Sequence, residues 1–207
     1  MDSIGIAAWL DSLAAKQPTP GGGAVAALSA AIAAAQLEMV AAYTTGSKWQ
    51  DREARMNELS AELAKLRSNA LELVKSDAEA FAEVGSAYGL PKETDSEKAI
   101  RKTAIQKALK AAAQPPMRTA KLSERLAEIA TEISTSGNPN VISDVAVGAS
   151  LAKASLESAI ANIEINQHAL EDTEAKKLLH AAVQDAQDAI QDADAVIETV
   201  RDQMEPS

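Results

Sequence analysis

The sequence predicts an all-α fold, a single-domain bundle of about seven helices, several of them long and antiparallel. Three observations lead there. Apolar residues recur at spacings of three and four through most of the chain, and no segment reads as a strand or gathers β-branched residues. Aromatic residues make up only 2% of a chain that is 46% hydrophobic, so the core must be packed from Ala, Leu, Ile and Val, which suits helices in close approach. Its 207 residues allow one domain with a substantial core over residues 1–207, and no internal repeat is visible.

Residues 3–16 read as a short amphipathic helix with Ile6, Trp9, Leu10 and Leu13 on one side, broken at Gln17 to Thr19. Thr19 as N-cap and Pro20 as first helical residue start a second helix, because proline lacks only an N–H that would have no partner there. It runs to about Thr44 and is Ala-rich on every side, the pattern of a helix buried among others. A third helix extends from about Gln50 to Tyr88, with Leu59, Leu63, Leu66, Ala70, Leu73, Val74, Phe81, Val84 and Tyr88 in register, and Gly89 and Pro91 stop it. A fourth runs from Ser96, without a full capping box, to about Ala113. Gln114-Pro115-Pro116 breaks it, and a fifth covers Pro116 to about Ser134. After the turn at Ser136 to Asn140, a sixth begins at Ile142 or Ser143 and reaches Ala169. The last, Thr173 to Met204, carries Leu178, Ala182, Ala186, Ala189, Ala193, Val196, Val200 and Met204 at heptad-like spacing.

Composition excludes several functions. A formal net charge of −10 opposes nucleic-acid and anionic-membrane binding. With no cysteine there is no disulfide, thiolate metal site or Cys nucleophile, which fits a cytoplasmic location. The start of the chain lacks the basic and apolar regions of a signal peptide, and the apolar run from Gly21 to Ala35 is short for a membrane span, so a soluble protein is expected. Charge is nevertheless uneven. Pro91 to Arg125 holds nine Lys/Arg against four Asp/Glu, and such a segment is either a solvated helix face or a patch for an anionic small ligand.

Gly21-Gly22-Gly23 opens the second helix, and three poor helix formers in one first turn need compensation. Either they relieve a tight contact between helices, or they bare N–H groups and a positive helix end to a ligand. A nucleotide P-loop is disfavoured, because no strand precedes and no Lys-Ser/Thr follows. Asp77 falls in the apolar stripe of the third helix, so it must find a partner or face a pocket. Lys92 and Arg101 are candidate clamps for carboxylates. Asn138 and Asn140 offer donors and acceptors suited to an amide edge, while Ser143 or Asp144 serves equally as a helix cap. Asn162 and Asn166 are neighbours on one face of the sixth helix, with the small residues Gly148, Ala152, Ser155 and Ala159 on the same flank. Asp144 and Asn162 are eighteen residues apart, about 27 Å at 1.5 Å per residue, so they cannot touch one reacting carbon. His168 and His180 lack the spacing of metal ligands, and no metal is expected.

Taken in order, these strings resemble the cyclodeaminase/cyclohydrolase family, typified by the C-terminal domain of formiminotransferase-cyclodeaminases. The resemblance rests on Pro18-Thr19-Pro20-Gly21-Gly22-Gly23-Ala24-Val25-Ala26-Ala27, Asp77-Ala78-Glu79-Ala80-Phe81, Leu90-Pro91-Lys92 with Thr94, then Arg101 and Ile105-Gln106, the Gly137 to Asp144 loop, and Asn162 with Asn166. It implies chemistry at the one-carbon bridge between N5 and N10 of tetrahydrofolate, without metal or redox cofactor. The first expectation is hydrolysis of 5,10-methenyltetrahydrofolate, since no formiminotransferase region is visible. The alternative is a 5-formiminotetrahydrofolate cyclodeaminase, and a non-enzymatic helical interaction module is a third reading. The resemblance also implies Asp77 or Asp144 as catalytic group. Pro20, Gly21, Gly22, Gly23, Lys92, Thr94, Arg101, Asn138, Asn140, Ser143, Asn162 and Asn166 are implied as substrate contacts. A homodimer is implied too, with Gly148, Ala152 and Ala159, or the last helix, as its interface.

Overall fold

A computed structural model of the chain describes residues 5–205. Among the described residues there are seven α-helices and no strand: α1 (Ile6–Ala14), α2 (Gly22–Ala42), α3 (Glu53–Tyr88), α4 (Asp95–Ala112), α5 (Gln114–Ser136), α6 (Ile142–Ala169) and α7 (Thr173–Met204). Short 3-10 turns at Ser47–Trp49 and Pro139–Val141 precede α3 and α6. The expected start of the first helix at Ser3 lies outside the described residues.

The core is built around α2. Ala24, Ala26, Ala27, Ala30, Ala33, Ala34, Leu37, Val40 and Ala41 are fully buried, because side chains of one carbon let α3, α5 and α6 close on the helix from several directions. By length and composition α2 is apolar enough to cross a membrane. Its burial among other helices accounts for that character equally well.

α6 lies antiparallel to α2 in a register that can be read from four contacts. Asp144 meets Gln36, Gly148 meets Leu37, Ser155 meets Ala26, and Asn162 meets Gly22. A Cβ on Gly148 would stand 2.7 Å from Leu37 Cδ2, so glycine is what lets the helices touch there. Ser155 Oγ donates to Ala26 O at 2.8 Å and lies 2.8 Å from Ser123 Oγ, tying α2, α5 and α6 together at a fully buried point. The flank of Gly148, Ala152 and Ala159, expected as a subunit interface, is thus spent inside the chain, where all three are buried.

Other differences from the sequence reading have local causes. α2 starts at Gly22, two residues later than expected. Gly21 is its extended N-cap, and Pro20 stands before the cap, joined to Thr19 by a cis peptide bond. α4 does have a capping box, formed two residues earlier than Ser96 by Thr94 and Glu97. Pro115 and Pro116 fall in the first turn of α5, where no N–H is needed, so only Ala113 separates α4 from α5. The seam of α7 runs through Ala175, Leu179 and Val183, leaving Leu178 and Met204 exposed. On α1 only Trp9 is buried. The stripe of α3 is buried as far as Val74, but Phe81 and Tyr88 are half exposed, because α2 begins opposite Asp77 and does not cover this side of α3 beyond it.

α3 and α5 are joined across their polar faces by two forked ion pairs, Arg55 with Glu132 and Arg125 with Glu62. The guanidinium bonds hold both carboxyls below the usual glutamate range. The α2–α6 contact sets the alignment of everything else, and it is directly testable. Gly148→Val should lower stability by about 1–3 kcal/mol through overpacking against Leu37. The readout is the urea midpoint by circular dichroism, and an unchanged midpoint would mean that the contact is slack.

Candidate functional site

Where α2 begins and α3 runs on past it, the bundle opens into a cavity of about 410 Å³, within the size range of small-ligand sites. Gly21 to Gly23 form one wall, Asp77, Phe81 and Tyr88 of α3 a second, and Asn162 and Asn166 of α6 a third, with Leu109 of α4 closing the end. Two of the three glycines are explained by close approach. A Cβ on Gly23 would collide with the Asp77 carboxylate, and one on Gly22 would press on the Asn162 amide at 3.3 Å. Around Gly21 there is open space, so its backbone faces the cavity unobstructed.

Gly21 has no side chain with which to cap α2. Asp77 takes over that task from another helix, accepting a hydrogen bond from the Ala24 N–H. Burial pushes the carboxyl above the usual aspartate value, and the Ala24 bond pulls it partly back. Among the described residues Asp77 is the only charged side chain lining the cavity. Asn162 Nδ2 donates to Ser158 O at 2.7 Å and Asn166 Nδ2 to Asn162 O at 2.8 Å. Each amide oxygen is left as an acceptor at the cavity wall.

The remaining predicted residues stand elsewhere. Asp144 accepts from Gln36 Nε2 at 2.7 Å. From Ala24 to Gln36 is twelve residues along α2, roughly 18 Å, so the two carboxylates do not share a site. Asn138 lies at the far end of α2, where its amide donates to Tyr43 O, its N–H to Thr44 Oγ1, and its Oδ1 accepts from Asn140 N. Asn140 and Ser143 are exposed beside it. Thr94 is the N-cap of α4, accepting from Glu97 N, and Lys92 is exposed on the loop before it. Arg101 donates to Tyr88 O from Nε and Nη2, at 3.3 and 3.1 Å, with its guanidinium 5.5 Å from the Tyr88 ring centre. Pro20 adjoins the cavity through Pro18 and Thr19, which line it. His168 is turned to Glu164 O in its own helix. Among the described residues no three His, Asp or Glu side chains gather to hold a metal ion.

Sequence reasoning placed Phe81 and Tyr88 in the core and so missed them as site residues. The available signal was their place in the Asp77 stripe, beyond the point that the glycine-led helix can cover.

The family model for formiminotransferase-cyclodeaminase matches residues 5–185. The chain belongs to this family. A methenyltetrahydrofolate cyclohydrolase of Methylorubrum extorquens is 40% identical over 168 residues, 81% of either chain. The rat formimidoyltransferase-cyclodeaminase is 32% identical over 160 residues, which are 77% of this chain but only 30% of that longer protein. The crystal structure of formiminotetrahydrofolate cyclodeaminase from Thermotoga maritima superposes with a TM-score of 0.85 at 28% identity, covering 98% of this chain and 96% of that one. A family member of this fold therefore carries the cavity described above.

The raised Asp77 pKa makes a stability prediction with a definite sign. The protonated acid is the form favoured by folding, so its contribution is complete below the unfolded aspartate value, about 3.9, and is lost as pH rises through the higher folded value. Asp77→Asn lacks that loss. Its urea midpoint relative to wild type should rise as pH climbs from the unfolded aspartate value through the higher folded one, and then level off. A flat or falling difference would mean that the helix end stabilises the anion more than burial disfavours it.

Proposed function

We propose that this chain is a folate one-carbon enzyme that hydrolyses 5,10-methenyltetrahydrofolate to 10-formyltetrahydrofolate. The observation that carries the reading is a half-desolvated carboxylate, the one charged group among the described residues that line the cavity, in a chain 40% identical to a methenyltetrahydrofolate cyclohydrolase. The substrate is an amidinium cation, and Asp77 complements its charge in a medium poorer in water than bulk. Asp77 accepts a proton from water as its oxygen bonds to the methenyl carbon, which becomes tetrahedral. That proton then passes to N5 as the carbon–N5 bond breaks. The second proton of the added water leaves to solvent, and the formyl group stays on N10. A carboxylate whose pKa burial raises above the usual aspartate value is a stronger base for such a shuttle than an ordinary one. Asn162 and Asn166 offer acceptors to pterin N–H groups, and the backbone of Gly21 to Gly23 gives a planar ring close access to the helix end. The step moves protons and water but no electrons, so it calls for no redox cofactor.

Cyclodeamination is the second reading, favoured by the Thermotoga maritima neighbour and the formimidoyltransferase-cyclodeaminase relatives. It would use the same carboxylate to shuttle protons while N10 attacks the formimino carbon and ammonia leaves. Loss of methenyltetrahydrofolate absorbance and ammonia release from 5-formiminotetrahydrofolate, measured side by side, separate the two. Asp77→Asn should cut kcat/KM of whichever reaction is found by about 100-fold or more while the protein stays folded. Unchanged turnover would remove Asp77 from the mechanism.

A homodimer is part of this reading, as is a reducing, cytoplasmic setting in keeping with the absence of cysteine. With the α6 small-residue flank buried, the face proposed for the second copy is the apolar outer side of α2 and α6, where Ile32, Tyr43 and Val147 are about half exposed. Light scattering should give twice the chain mass for wild type and a shift toward monomer for Val147→Glu. A wild-type monomer at micromolar concentration would overturn it.

A further inference from the structure

We propose that Arg101 is a positioning residue that holds Tyr88 against the cavity, and that Tyr88 with Phe81 forms the wall on which the substrate's planar rings stack. The inference rests on the folate reading above and replaces the role of carboxylate clamp that the sequence suggested for Arg101.

Phe81 and Tyr88 are seven residues apart on α3, two turns, and so share one side of the helix. Both line the cavity and both are 50% exposed, which is costly for large apolar rings unless something covers them. Together they present roughly 10 Å of aromatic surface along the helix axis. That length suits a ligand with two flat ring systems joined by a short bridge. Asp77 lies one turn before Phe81 on the same wall, so a cation stacked on the first ring sits beside the carboxylate.

Tyr88 is the last residue of α3, where a helix frays unless its end carbonyls find donors. Arg101 supplies them from the next helix. Its Nε and Nη2 both donate to Tyr88 O, and its guanidinium lies over the Tyr88 ring. One side chain thereby caps the helix, places a cation at its negative end and fixes the ring. The Nε–Nη2 edge is one that a guanidinium uses for bidentate carboxylate binding, and here a backbone carbonyl holds it. Arg101 does not itself line the cavity. The Thr94–Glu97 capping box fixes the start of α4 and so carries Arg101 to this place two turns later.

The test is steady-state kinetics on 5,10-methenyltetrahydrofolate and on the same compound lacking its glutamate. Arg101→Ala should raise KM about ten-fold on both substrates, the worth of one ordered aromatic contact, with kcat within about three-fold of wild type. Tyr88→Ala should do the same, and the double variant should be no worse than Tyr88→Ala alone. Arg101→Lys, which keeps a cation over the ring but loses the fork, should recover part of the affinity and guards against a folding failure in the alanine variant. A penalty confined to the glutamate-bearing substrate would make Arg101 a clamp and overturn the inference. So would penalties that multiply in the double variant, or an Arg101→Ala protein with unchanged KM. If wild type neither turns over methenyltetrahydrofolate nor binds 5-formyltetrahydrofolate in equilibrium dialysis, the folate reading falls and takes the inference with it. Wild-type turnover alongside any of the three contrary results overturns the inference alone.

Discussion

The contact between Asp77 and the first turn of α2 is the constraint on which the site depends. The carboxylate accepts the Ala24 N–H, so a helix with no capping side chain of its own is capped by its neighbour. The contact is close enough to exclude any side chain at Gly23. It also holds an acid where water is scarce. A helix N-terminus favours an anion and desolvation disfavours one, and here desolvation prevails, leaving the carboxyl easier to protonate than an ordinary aspartate. The sequence required Asp77 to find a partner or to face a pocket, and the fold gives it both, the Ala24 N–H and the cavity.

α2 also acts as the ruler of the molecule. Because α6 lies antiparallel to it, residues early in α2 face residues late in α6, and the converse holds at the other end. Asn162 and Asn166 therefore join the glycines at the cavity. Asp144, Asn138 and Asn140 gather around the opposite end, where they tie down the α5–α6 turn. Sequence strings that look equally functional are sorted by this geometry into one group that meets the cavity and one that holds a loop.

The α3–α4 hairpin makes the same division on a smaller scale. Leu-Pro-Lys-x-Thr with a following Arg reads as a ligand-binding string, yet Thr94 caps α4 and Arg101 caps α3. Gln106 bridges α4 to the α6–α7 turn through Ala169 O and Glu171 N, and Lys102 and Lys110 pair with Glu171 and Asp172 nearby. Much of the basic charge in this segment is thus used to fasten α4 across the end of the bundle. What reaches the cavity from this segment's surroundings is the ring of Tyr88, whose carbonyl and ring Arg101 holds.

The helical class, the order of the helices and the ends of α6 and α7 follow from the sequence alone, because periodicity, caps and breakers act over a few residues at a time. So does the conclusion that the three glycines need compensation and that Asp77 needs a partner or a pocket, since both rest on the local cost of glycine in a helix and of a carboxylate among apolar residues. That these two requirements satisfy each other was decided only by tertiary structure. The same is true of the outward turn of Phe81 and Tyr88, the later start of α2, and the internal burial of Gly148, Ala152 and Ala159. The physical reason is common to all of them: a residue's own sequence neighbourhood fixes which side of a helix it occupies, but which helix lies opposite, and where that helix begins, is set by packing between segments far apart in the chain.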